Sequence, residues 1–154
     1  MNKLLVGLLL VSSAAQAATT GTLSLSGTIA NVISIAVAAA GAASTLDLTA
    51  TQTNLVVATV TENSNSNTGY TISARSTNTG TIKHATATDN VAYTMKYAGG
   101  TATSLTTVDQ TVKTQSTGGV YSAVSSSVSV SYTGNASLRA GSYSDTITFT
   151  IAAI

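Results

Sequence analysis

His84 is the one histidine among 154 residues, and the chain contains no cysteine. A histidine acts as a general base or a metal ligand only with partners close by: a hydroxyl or thiol to activate, a carboxylate to orient it, or further ligands. Beside His84 stand Lys83 and a Thr-rich stretch, which offer none of these at a recognisable spacing. The carboxylates are scattered too. Asp89, Asp109 and Asp145 are each flanked by Thr, Ser, Asn or Gln, a setting that fits turn capping or solvation rather than an acid/base pair. Asp145 also shares an alternation phase with Tyr143 and Ile147. It is therefore either the last exposed residue before a strand enters the core or a buried carboxylate with a partner such as Arg139. No nucleophile–base pair, metal cluster or phosphate loop emerges, so the expectation is a protein that is not an enzyme and needs no cofactor.

Six tyrosines and Phe149 make up the whole aromatic set. Tyrosines on one strand face can stack on sugars, which makes a carbohydrate-binding module the rival reading, holding a glycan through tyrosines or through the loop Asn63 to Asn67. Tyrosines also fill cores with the hydroxyl at the sheet rim. The triplet Asn135-Ala136-Ser137 fits a glycosylation acceptor pattern, but such triplets are common by chance and it is assigned no role.

The elements that would position these residues begin with a leader. Residues 1–17 carry Lys3, an apolar run from Leu4 to Val11 and the small-residue pattern Ala15-Gln16-Ala17, which reads as a secretory signal. Removing it leaves five basic residues (Arg75, Lys83, Lys96, Lys113, Arg139) against five acidic ones (Asp47, Glu62, Asp89, Asp109, Asp145), a formal charge of zero. Nothing basic enough for nucleic acid is present. Charged residues form 7% of the chain, against roughly 25% in an ordinary soluble domain, so copies repel one another weakly. Without disulfides, stability must come from packing, strand pairing or association.

Past the leader, apolar residues recur at every second position, the period of a β-strand. Strands are expected at residues 23–29, 33–37, 46–48, 55–60, 70–74, 91–97, 128–132 and 146–151, seven or eight in all. Between them lie turn-forming stretches at 40–44, 63–69, 78–80, 99–100, 118–119, 134–135 and 140–141. Residues 99–126 alternate only weakly. Short strands at this spacing predict an all-β sandwich of one domain.

The two ends carry the functional argument. Residues 21–31, GTLSLSGTIAN, place Leu23, Leu25, Gly27 and Ile29 in one phase. Such a strand can pair within its own domain or add itself to another subunit's open edge. Each of the three large side chains would contribute roughly 1.5 to 3 kcal/mol if fully buried, and Gly27 would let two backbones approach closely. At the other end Gly141 precedes a strand on which Tyr143, Ile147, Phe149 and Ile151 share a face. A long apolar terminal strand at a sheet edge is an aggregation hazard unless something covers it.

These ends resemble the pilin subunits of chaperone-usher fimbriae, including the spore-coat-U-like group. The donor strand of that family has the form G-T-apolar-x-apolar-x-G-x-apolar, matched here by Gly21, Thr22, Leu23, Leu25, Gly27 and Ile29, and Gly141 matches the glycine that opens the family's C-terminal strand. The resemblance implies an immunoglobulin-like sandwich lacking its last strand, with residues 18–31 as a donor extension and 32–154 as the domain. It implies a periplasmic chaperone that fills the groove, an outer-membrane usher, and a homopolymer at the cell surface serving adhesion or biofilm, with a glycan or host receptor as a further partner. Two features depart from the family pattern: Val32, Ile33 and Ser34 stand where many members begin a disulfide, and Ala153 replaces a penultimate tyrosine. Two other readings stay open, a self-complete carbohydrate-binding module and an amyloid-like surface protein, the latter weakened by the lack of a repeat.

Overall fold

The computed structural model describes residues 19–154; the leader at 1–17 lies outside them. Among the described residues nine strands run in chain order: β1 (Ile33–Ala39), β2 (Gln52–Ser64), β3 (Tyr70–Ser76), β4 (Thr81–His84), β5 (Asn90–Tyr97), β6 (Gln110–Gln115), β7 (Tyr121–Tyr132), β8 (Tyr143–Ser144) and β9 (Ile147–Ala153). One sheet has the order β1-β2-β7-β5-β4-β8 and the other β6-β3-β9, and every pairing is antiparallel. The two sheets enclose a single core, the layering of a β-sandwich. Among the described residues no helix is long and apolar enough to cross a membrane.

Alternation builds the long central pair β2 and β7. On β2 the side chains of Val60, Glu62 and Ser64 point inward and those between them outward. The phase is reset near Val57 and Ala58, which are both buried, because the ladder to β7 shifts between Val56 and Ala58. An extra residue at a bulge turns the following side chains to the opposite face. On β5 and β7, Val91, Tyr93, Met95, Tyr97, Val128, Val130 and Tyr132 complete the core of the larger sheet, while Tyr70, Ile72 and Ala74 on β3 face them from the smaller one.

A charged cluster lies inside this core. Glu62 is fully buried, and its two oxygens accept hydrogen bonds from Tyr70 (2.6 Å), Tyr97 (2.7 Å), Ser126 (2.7 Å) and Lys113 Nζ (2.6 Å). Burial alone would raise the Glu62 pKa, but Lys113 and the three hydroxyls outweigh it and hold the carboxyl below the usual glutamate range. Burial, and then the bond to Glu62, raise Tyr70 and Tyr97 well above the usual phenol range.

Two expected strands are absent. Residues 46–48 form a turn, because the Asp47 carboxylate accepts bonds from the Thr49 backbone N–H (3.0 Å) and hydroxyl (2.6 Å) and so competes with strand pairing. Leu46 and Leu48 still pack on the core. Residues 23–29 are not paired into either sheet, since no edge of this molecule is engaged with them. Conversely β4, β6 and the first half of β7 are strands beyond the expected set. The single C-terminal strand expected to carry Tyr143, Ile147, Phe149 and Ile151 is broken at Asp145 and Thr146 into β8 of the larger sheet and β9 of the smaller, because the Asp145 carboxylate accepts the backbone N–H groups of Asn78 and Thr146 there. The Ala-rich stretch after β1 closes as a short 3-10 turn, Gly41–Ser44.

Candidate functional site

Residues 20–32 carry no regular structure and lead away from the sandwich. Leu23, Leu25 and Ile29 are 84%, 86% and 92% exposed, and nothing lies within 4 Å of the Cβ position on Gly27. Three large aliphatic side chains at strand spacing thus stand in solvent on one short segment. Single exposed leucines are ordinary; three large aliphatic side chains in one alternation phase on a short segment are a larger apolar exposure.

The same molecule has an apolar groove. Strands β1 and β9 are edges of different sheets and lie alongside each other without pairing. Near them a groove of about 370 Å³ reaches the inner face of the larger sheet. Its floor is Val57, Ile82, Tyr93, Val128 and Val130; Val37 and Ala39 of β1 form one wall, and Tyr143, Ile147 and Phe149 form the other. Of the C-terminal residues singled out from the sequence, Tyr143, Ile147 and Phe149 therefore meet in the groove. Ile151 packs against the core further along β9, opposite Ile72. The ring of Phe149 lies 5.8 Å from that of Tyr97.

Asp145 is the one charge in the groove lining, and Arg139 is not its partner. Arg139 sits 3.7 Å from Asp89 instead. The Asp145 carboxylate accepts bonds from Tyr93 (2.6 Å) and Ser76 (2.6 Å) and from the backbone N–H groups of Asn78 (3.0 Å) and Thr146 (2.7 Å). Four donors satisfy the carboxylate, so an apolar occupant of the groove would meet no unpaired charge. Burial, followed by the hydrogen bond to Asp145, raises Tyr93 well above the usual phenol range.

Gly141 lies two residues ahead of β8 rather than at the start of β9, with φ +153°, and a Cβ there would run into the His84 imidazole. That ring is held on all sides. Its Nδ1 accepts the backbone N–H groups of Thr86 (3.1 Å) and Ala87 (2.8 Å), its Nε2–H donates to the Ala140 carbonyl (3.2 Å), and its edge packs on Tyr143 at 4.8 Å. His84 thus has a structural setting, and among the described residues no group of three potential ligands could hold a metal ion.

Four tyrosines (Tyr70, Tyr93, Tyr97, Tyr132) are buried, each with its hydroxyl engaged. The half-buried pair, Tyr121 and Tyr143, pack edge-on against Tyr70 and His84. At the end of β2 and in the turn after it, the side chains of Asn63 and Asn65 hold neighbouring segments: Asn63 bonds Ser34 and Ala123, and Asn65 bonds Ala30 and Val32. From the residues alone this stretch reads as a turn, or as the glycan-holding loop of the rival module. Side-chain amides that bond across strands leave no mark in a single sequence.

Compared with known proteins, the chain matches no family model, no curated protein and no solved structure.

Proposed function

We propose that this chain is a structural subunit of a secreted surface fibre, a pilin-like protein that polymerises by laying residues 21–31 into the groove of a neighbouring copy. In this reading the domain is an immunoglobulin-like sandwich short of one strand, and the neighbour's segment supplies it beside β9. The carrying observation is the complementarity of two parts of one molecule: Leu23, Leu25 and Ile29 stand exposed, and an apolar groove bordered by an edge strand stands open. Their lengths agree as well. Strand β9 has seven residues, as does the stretch 23–29, and at about 3.3 Å per residue both span roughly 20 Å.

Insertion would cover three aliphatic side chains worth roughly 1.5 to 3 kcal/mol each and pair the open backbone edge of β9, which accounts for association without disulfides. Secretion to the periplasm, a chaperone occupying the groove before assembly, an outer-membrane usher and a role in adhesion or biofilm belong to the same reading. A self-complete carbohydrate-binding module is the weaker alternative, because the tyrosines and the 63–67 turn it would use are engaged within the fold.

The test is a denaturing gel of material sheared from producing cells, loaded unheated and heated. A ladder that collapses to monomer only on heating, and that disappears when residues 18–30 are deleted, is the expected result. Polymer that survives the deletion contradicts the reading.

A further inference from the structure

The ladder between β1 and β2 ends with Ile33 opposite Ser64. One step further, the Asn65 backbone N–H donates to the Val32 carbonyl at 3.0 Å. The side chain then continues the pattern: Oδ1 accepts the Val32 N–H at 2.6 Å, and Nδ2 donates to the Ala30 carbonyl at 2.9 Å. A side-chain amide carries the same donor and acceptor as a peptide group. Asn65 therefore stands in for one more residue of β2 and prolongs the line of β1 back to Ala30. The turn behind it is itself anchored, since the Ser66 N–H donates to Ser64 Oγ (3.1 Å) and the Ser66 carbonyl accepts from Gly119 (2.9 Å).

This clamp bears on a competition that any self-complementary chain faces. A segment tethered to its own groove experiences an effective concentration on the order of millimolar, far above that of a second copy in dilute solution. Folding back would therefore win unless the tether opposes it. For residues 23–29 to reach the groove of their own molecule, the chain must reverse just ahead of β1. A tight reversal takes about four residues, and residues 30–32 are the ones Asn65 holds.

We propose that Asn65 is a positioning residue that directs the apolar segment outward, favouring insertion into a second copy over fold-back into its own groove; the inference rests on the strand-donation reading above. The absence of cysteine allows a direct test on the full chain. Ser26→Cys on the segment and Thr148→Cys on β9 are introduced together and joined by a short bis-maleimide. Products linked within one chain are then separated from products linked between chains. With Asn65 intact, links between chains predominate. In Asn65→Ala the proportion of internal links rises about tenfold, the effect of losing two hydrogen bonds that each shift an equilibrium severalfold. Asn65→Asp, which keeps the acceptor for Val32 and loses the donor to Ala30, gives a smaller rise in the same direction and decides the matter if the alanine variant does not fold. An unchanged ratio in a folded variant overturns the role of Asn65 while leaving strand donation intact. If no link of either kind forms in any background, strand donation fails and this proposal with it.

Discussion

Lys113 Nζ on β6 stands 2.6 Å from Glu62 Oε2 on β2, so a salt bridge joins the two sheets through the middle of a core that has no disulfide. Removing the carboxylate would strand one ammonium and three hydroxyls around an empty acceptor position. Glu62→Ala is therefore expected to destabilise the fold by about 3 to 5 kcal/mol. Lys113→Ala leaves Glu62 with its three hydroxyl donors and is expected to cost less, about 1.5 to 3 kcal/mol. Urea unfolding of both variants checks the order; equal and small losses would contradict the clamp.

Glu62 and the buried phenols of Tyr70, Tyr93 and Tyr97 should set the pH range of stability. Glu62 has its pKa lowered in the folded state, so its contribution is present above the unfolded value and lost as pH falls through the folded one. Tyr70, Tyr93 and Tyr97 are raised, so above their unfolded value the unfolded chain ionises while the folded one cannot. Unfolding midpoints should hold steady at neutral pH, then fall below about pH 4.3 and again above about pH 10. A midpoint that stays constant into the alkaline range would show that the buried phenols are not what resists ionisation.

Gly141 and His84 form a coupled pair. Gly141→Ala places a methyl group against a ring that four contacts hold in place, at a backbone angle that L-residues avoid. The expected cost is about 1 to 3 kcal/mol. In a His84→Ala background that cost should shrink, because the steric part is gone and only the backbone part remains. A double-mutant cycle measures this, and strict additivity would place the cost elsewhere.

Strands whose apolar residues alternate were legible from the residues: 33–37, 55–60, 70–74, 91–97 and 128–132 lie wholly in strands, and 146–151 does so but for Thr146, which precedes β9. Strand β6, QTVKTQ, was not, because Val112 is its only aliphatic side chain and Lys113 reaches inward for a partner 51 residues away. The first half of β7 is Ser-rich and owes its pairing to β2 rather than to its own pattern. Leu46 and Leu48 alternate as a strand would, yet the aspartate between them closes a turn. At the candidate site, the apolar rows at both ends were readable because spacing alone defines them. The satisfaction of Asp145 by Tyr93 and Ser76, and the clamp of Asn65, were not, because they join residues brought together only by the fold.

The central claim is that the exposed segment becomes a strand of another subunit. Hydrogen exchange on the full chain, measured as monomer and after assembly, tests this most directly. In the monomer the amides of residues 22–30 should exchange freely, together with those β9 amides that do not bond to β3. After assembly both sets should become protected together, as two strands of one ladder do. Assembly that leaves residues 22–30 exchanging as fast as in the monomer would contradict the account.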